Sequence, residues 1–510
     1  MIKKGSKDLL LIPCSFVLVC GSFFAIMDAV NVFLELGLGM KLLVVVVTLI
    51  VANTIRALIF KNPNAPPHIP SPVPWFGNIV AFGEKPVDFL LKSFKDYGPV
   101  FSFTMFGQEV TYLLGSDASN QFWNASNDDL NAEDLYANIT VPIFGKGVAF
   151  DVDNKVFSEQ KQMAKDGLTQ KRFATYTSKI EEECEMYMSK RWVGQQGEDN
   201  FHEAMAEMIV FTATRCLHGD ETREAFTADV AALYNDLDGG FSPLAWFFPS
   251  WIPFPSFIKR DKAHVEIKKR FHSVIEKRKV SEKQKVSDDA DRSDLLQTFV
   301  TSKYTKVNNQ RSLTNDEISG LLIALLMAGQ HTSSTTTSWF GFFVSEAGLY
   351  EKLYQEQIKA MGKSKDPIKL EDLDNMPLLH ACVRETLRLR PPIMQMMRKV
   401  RKTFDVSVDG KTYTIPAGNQ VCVSPSVNGR NFKEWDEPDK FDPYRFLKTE
   451  DGVTTVTKAE HLDPPDKQNK FKWCPFGAGR HRCIGFEFAQ IQIRCVWSYL
   501  LRNFEIENVN

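Results

Sequence analysis

The sequence predicts a mainly α-helical protein with small β-sheets, carried behind an N-terminal membrane anchor. Three observations predict this class. Apolar residues recur at helical spacing through most of the stretch from about residue 154 to 360. The strand-like stretches 101–104, 110–114 and 412–415 are short and far apart, as in small sheets. An uncharged run, 9–27, follows Lys3, Lys4 and Lys7 and is long enough to cross a bilayer.

The 510 residues suffice for one large or several small domains. A net charge of -2 argues against a nucleic-acid partner. Nine cysteines lie scattered, with no pair at metal-site or redox spacing, which points to a reducing compartment.

Residues 1–62 read as the anchor, in one or two apolar helices. The second apolar run lies between Lys41 and Arg56 and extends to Phe60 if Arg56 snorkels. A cleaved signal peptide is the alternative for the first run, but no small-residue cleavage site stands out. Two spans from a lysine-rich cytosolic start return the remaining chain, 63–510, to the cytosol. One span does not, unless Lys41, Arg56 and Lys61 outweigh the first lysines.

Six prolines between Pro63 and Pro74 make a stiff linker. The strands at 101–104 and 110–114 join near Gly107. The helical region breaks at 279–293 into a charged, mobile loop. Thr314 and Glu317 then form a capping box opening a long helix, continued by Ile318, Leu321, Leu322 and Leu325. That helix runs into seven consecutive hydroxyl residues, 332–338, flanked by apolar side chains. Ser and Thr compete with the backbone for hydrogen bonds. A buried break in the helix is expected there, large enough for a small ligand; a solvated polar stripe is the alternative. A helix over 378–389, entered through Pro377, carries Glu385 and Arg388 three residues apart, ordinarily a weak surface pair.

The stretch 476–485 gathers Gly477, Gly479, Arg480, His481, Arg482 and Gly485 around Cys483. Ile484, Phe488, Ile491 and Cys495 follow at helical spacing, so Cys483 lies at a loop-to-helix junction, where N–H groups and the helix dipole favour a thiolate. The glycines allow close approach to a flat partner, and the cations suit an anionic one. A lone thiolate cannot close a zinc site but can be the single protein ligand of a haem iron. Two plainer readings compete. Cys483 could be a small buried hydrophobe. The glycines could be a dinucleotide loop, weakened by Arg482 at the third glycine position.

The ten residues from Phe476 match F-x-x-G-x-[RH]-x-C-x-G, and the chain resembles the cytochrome P450 haem-thiolate monooxygenases. Ala328, Gly329, Thr332 and Ser333 resemble the family's oxygen groove, A-G-x-x-T-[ST]. Glu385 and Arg388 match its E-x-x-R, and 441–446 match its F-x-P-x-R-F, whose arginine, here Arg445, completes a buried structural network. The proline-rich linker resembles the hinge of a microsomal member. Further stretches narrow the resemblance to the sterol 14α-demethylase group: 130–136, 141–152, 236–241, 328–333 and 388–394. It covers roughly residues 64–504.

The resemblance implies a b-type haem (heme b) with Cys483 as axial thiolate. It implies that Tyr136, Lys161, Arg398 and His481 meet the propionates, with Phe476 in the cofactor-binding loop. Thr332 would hydrogen-bond bound oxygen. His331 replaces the usual acidic residue and pairs with Asp238 for proton delivery; a merely satisfied core histidine is the alternative. Phe144, Phe150, Phe241, Ala328, Ile393 and Met397 would wall the sterol pocket. The implied reaction is oxidative removal of the 14α-methyl group of a lanosterol-like sterol. It would use O2 and electrons from NADPH–cytochrome P450 reductase at the endoplasmic reticulum membrane, in contact with its lipid, with the catalytic domain facing the cytosol. Two departures are visible. Phe150 stands where the group usually has tyrosine, and the chain stops at Asn510, before the family's final β-hairpin. Two other readings remain: a monooxygenase of another lipid, and a haem- or sterol-binding protein that has lost turnover.

Overall fold

The structure is a computed structural model that describes residues 37–59, 62–71, 75–194, 196–224, 228–242, 244–284, 294–307, 310–362, 366–450, 452–456 and 471–509. The apolar run 9–27 lies outside the described residues. The second run forms helix α1 (Leu38–Ile59). Among the described residues no helix is long and apolar enough to cross a membrane.

The described part of the proline-rich segment docks on the first strand. Ser102 N donates to Pro67 O and Ile69 N to Ser102 O, each at 2.8 Å, and Ile69 is buried. That strand, β1 (Val100–Met105), pairs antiparallel with β2 (Gln108–Leu113). The two-residue turn places Phe106 at φ 46 and Gly107 at φ 70. Positive φ at both positions is what a tight hairpin following the strand twist requires. With β3 (Leu130–Asn131), β4 (Met396–Val400) and β7 (Gln420–Val423), these strands form one sheet in the order β1-β2-β7-β4-β3. The β2–β7 pairing is parallel, with Val110 opposite Gln420 and Tyr112 opposite Cys422. The expected strand at 412–415 is β6 (Lys411–Ile415), in a separate hairpin with β5 (Phe404–Val408).

Helices form the larger layer. In chain order, those that build the site are α2 (Glu133–Phe144), α3 (Asn154–Asp166), α4 (Gln170–Arg191), α5 (Phe201–Ala213), α6 (Ala228–Asp238), α7 (Pro255–Gln284), α8 (Asn315–Glu346), α9 (Pro377–Leu389) and α10 (Phe486–Asn503). Helix α7 stays helical to Gln284, so the expected loop starts later than its charge density suggests; 285–293 lie outside the described residues.

Helix α8 is the axis of the core. Thr314 and Glu317 close the expected capping box, with Thr314 N donating to Glu317 Oε2 at 2.8 Å. Leu322, Ile323, Leu326 and Phe340 are wholly buried. Trp497 of α10 donates from Nε1 to Thr337 O at 3.1 Å. The expected helix break does not occur: α8 is one unbroken helix of 32 residues. Its hydroxyls bond back within the helix. Thr332 and Thr336 donate to the carbonyls of Ala328 and Thr332 at 2.7 Å, Thr337 to Ser333 O at 2.8 Å and Ser338 to Ser334 O at 2.9 Å. A hydroxyl that bonds the carbonyl four residues back adds a bond without replacing the backbone one.

The Glu385–Arg388 pair is no surface pair. Both side chains are fully buried, and Arg388 grips Glu385 through Nε and Nη2 at 2.7 Å each. Arg388 also donates to the carbonyls of Gly429, Pro438 and Lys440. Arg445 Nε reaches Glu385 Oε1 at 3.1 Å, and Asp442 N reaches the same oxygen at 2.9 Å. Satisfied on all sides, this network ties α9 to the segment that leads into the Cys483 loop.

Candidate active site

The Cys483 loop takes its shape from glycines that tolerate no side chain. Gly477 and Gly479 have φ of 65° and 64°. A Cβ on Gly479 would lie 2.5 Å from Trp123 O, and one on Gly477 3.2 Å from Met396 Sδ. Cys483 N donates to Phe476 O at 3.0 Å, and the Phe476 ring stands edge-on to Phe486 at 4.7 Å. From α3, Lys161 Nζ donates to the carbonyls of Arg480 (2.5 Å) and Arg482 (2.8 Å). So Lys161 holds the loop backbone itself.

Cys483 is solvent-accessible. Burial pushes its thiol up, and the Gly485 N–H, Lys161 and Arg482 only partly offset this. The expected gain from the helix dipole is therefore outweighed in the bare chain; a thiolate here calls for a metal cation against the sulfur.

The basic groups around the loop crowd one another. Arg398 on β4 is 2% exposed, spends Nη1 on Phe122 O at 2.5 Å, and is pushed to about 10 by burial and by Arg480. Among the described residues His481 has no hydrogen-bond partner at either ring nitrogen, and it is pushed to about 3 by burial, then by Arg398, Lys161 and Arg480. Burial lowers Lys161 to about 8, against the opposing pull of Cys483. Half-buried cations crowded around the buried Arg398, beside an imidazole without a partner among the described residues, mark a place built for negative charge. The donor set fits a flat, carboxylate-bearing macrocycle ligated through Cys483.

The other half of the site lies on α8. His331 Nε2 meets Asp238 Oδ1, at the end of α6, at 2.9 Å, and this contact raises the imidazole above its ordinary range. The pairing inferred from the resemblance is present. Ala328 and His331 are exposed and Thr332 partly so, and a Cβ on Gly329 would meet nothing within 4 Å, so this face of α8 is open.

Aromatic residues cluster beside the Cys483 loop and α8. The Phe144 and Phe241 rings are 6.2 Å apart. Phe150 lies between Tyr136 (5.4 Å) and His481 (6.3 Å). The Tyr136 hydroxyl accepts from Met397 N at 3.1 Å, and burial raises it to about 12. Ile393 is exposed, and Met397 packs its side chain in a cluster with Tyr112 and Val427. Met397 still touches the aromatic group through its N–H on the Tyr136 hydroxyl. Met396 instead lies against Gly477 and shares Trp123 with Arg398. The period of two along β4 was the available signal: if Arg398 faces the loop, so does Met396, and Met397 does not. Trp246, 5.9 Å from Tyr136, carried no signal of its own.

The family model described as Cytochrome P450 matches residues 67–510. A rat protein named lanosterol 14-alpha demethylase is 48% identical over 447 residues, 88% of this chain and 83% of the relative. One of the same name from Cunninghamella elegans is 35% identical, covering 93% and 92%. The sterol 14-demethylase of Arabidopsis thaliana is 36% identical, covering 95% and 94%. Among solved structures, the retinoic acid bound cyanobacterial CYP120A1 superposes with a TM-score of 0.70 at 21% identity, over 87% of this chain and 93% of that one. The helical layer, the small sheet and the Cys483 loop are thus those of a known fold, and the chain belongs to the cytochrome P450 family, among relatives named lanosterol and sterol 14-demethylases.

Proposed function

We propose that this chain is an oxidoreductase that removes the 14α-methyl group of a lanosterol-like sterol, using O2 and electrons that NADPH–cytochrome P450 reductase supplies. The observation that carries the reading is the His331–Asp238 pair beside Thr332, on the open face of the helix that leads past Ala328. Cys483 would ligate the iron of a b-type haem, with Arg398, His481 and Tyr136 near the propionates and Lys161 bracing the loop. Bound there, the haem supplies two-electron activation of O2, and the thiolate favours O–O cleavage.

The chain's own groups would orient substrate and move protons. Phe144, Phe150 and Phe241 offer the apolar, aromatic surface that a rigid four-ring substrate needs. Thr332 can turn its hydroxyl from Ala328 O toward the open side of α8. His331 holds a proton on Nε2 against Asp238, and the pair opens to solvent on one flank. A raised imidazole stays charged at low pH and loses its proton, and with it the ion pair, as pH rises through that raised value. Asp238→Asn removes the cause. The descending limb of the turnover profile should then move to lower pH, and turnover should fall by about 100-fold, the lower end of what a placed acid–base group contributes. The sterol-induced spectral shift should be kept. An equal loss of sterol binding would mean that the pair is structural.

The deciding experiment incubates the full chain with lanosterol, reductase and NADPH in vesicles. The reading expects formate and a sterol with a 14,15 double bond. Turnover of another lipid alone would favour a different monooxygenase, and sterol binding without turnover a binding protein. The charged start, the run 9–27 and α1 support anchoring of the 63–510 domain on the cytosolic face of the endoplasmic reticulum. Fractionation of the full chain against one lacking 1–62 tests this.

A further inference from the structure

The segment 143–151 carries both Phe144 and Phe150, and it is pinned by groups that would touch no substrate. Gln160 of α3 is 2% exposed. Its Oε1 accepts from Ala149 N at 3.2 Å, and its Nε2 donates to Gly147 O at 2.8 Å and to the Tyr304 hydroxyl at 3.0 Å. Tyr304, also buried, donates to Glu317 Oε1 at 2.9 Å. Glu317 is the carboxylate that caps α8, and Arg311 Nη1 pairs with its other oxygen at 2.7 Å.

The segment needs such a clamp. Ala149 has φ 52, a left-handed conformation that a residue with a Cβ adopts only when its surroundings impose it. Gly147 N is tied to Asp151 Oδ2 at 2.7 Å, and Ile143 O to His264 Nδ1 at 2.9 Å. A Cβ on Gly320 of α8 would lie 2.6 Å from Phe144 O, so the segment rests directly on that helix. Gln160 meets the strained residue's N–H with one end of its amide and the Gly147 carbonyl with the other, and its second amide hydrogen leads to the α8 cap. A buried glutamine with every group engaged, two bonds on one loop and the third on Tyr304, is a device for holding that loop.

We propose that Gln160 is a positioning residue: it fixes the Phe144–Phe150 wall and, through Tyr304 and Glu317, sets that wall in register with the helix carrying Ala328, His331 and Thr332. The proposal rests on the reading of Phe144 and Phe150 as walls of the sterol pocket.

Lys146, exposed within the segment, gives a readout independent of any ligand. In holoprotein carrying Gln160→Ala, tryptic cleavage after Lys146 should rise about tenfold, the consequence of leaving buried backbone groups unpaired. The dissociation constant for lanosterol, from spectral titration, should rise about tenfold, that for phenylimidazole less than about twofold, and the ferrous–CO Soret band should keep its position and amplitude. Gln160→Glu keeps the acceptor for Ala149 N but loses the donor to Gly147 O. It should fall between, and it carries the same comparison should the alanine variant not accumulate. Cleavage at the wild-type rate in both variants overturns the proposal. So does an equal weakening of both ligands with a lost Soret band, which would make Gln160 a general support of the haem site. Faster cleavage in a chain whose wild type does not bind lanosterol supports the clamp and overturns the pocket reading beneath it.

Discussion

Cys483→Ser abolishes the ferrous–CO Soret band of a thiolate-ligated haem and takes sterol turnover to background. The hydroxyl of serine stays protonated where a thiol, pressed against iron, does not, and it donates far less electron density to the metal. The loop itself survives the change. Its shape is set by Gly477 and Gly479, by Cys483 N on Phe476 O and by Lys161 on two loop carbonyls, none of which uses the sulfur. The variant should therefore fold, and the haem it retains should show the spectrum of an oxygen- or nitrogen-ligated iron. A thiolate band that persisted would mean that another cysteine is the ligand. That outcome would be hard to reconcile with burial, since the six other cysteines described as free are all buried whereas Cys483 is exposed.

The second large effect is expected far from any substrate. Glu385→Gln leaves Arg388 and Arg445 facing a neutral amide in a fully buried network. Removing one partner of a buried ion pair typically costs about 3–5 kcal/mol, because the remaining charge has nowhere to be solvated. That is a large share of a domain's total stability. The yield of protein with an intact ferrous–CO band should collapse, and what remains should unfold at lower denaturant. Lys440→Ala provides the contrast: its i,i+3 pair with Glu437 is exposed on both sides and should matter by less than about 1 kcal/mol. If Glu385→Gln behaved like Lys440→Ala, the network would be ornamental.

What the sequence made legible was local. Thr314 and Glu317 lie three residues apart and their capping box is present; Gly107 marks a hairpin turn; Pro377 starts a helix. Its failures concern competition between local and tertiary terms. The run of hydroxyls looked like a helix breaker because Ser and Thr compete for backbone bonds, yet inside a packed helix the same groups bond to carbonyls four residues back. The charge density after Lys279 suggested a loop, but helix α7 continues to Gln284. Distant pairs were visible only where a family resemblance linked them. His331 met Asp238 as the resemblance implied. Gln160 and Tyr304, 144 residues apart, offered no such cue, and their contact emerged only from the fold.

The parallel pairing of β2 with β7 sets a clock on synthesis. The outer edge of β2 meets its partner only when residues 420–423 have been made, about 300 residues after β2 itself. At the usual pace of translation, about 5–20 residues per second, that is a wait of roughly 15–60 s. During that interval the nascent chain presents an unpaired strand edge, carrying Val110 and Tyr112, to its surroundings. The helices made in between can form early, because their contacts are local, but the sheet beneath them cannot close. Ribosome-associated chaperones should therefore hold this chain longest over its first hairpin, and a stalled chain ending before residue 420 should aggregate where the finished one does not.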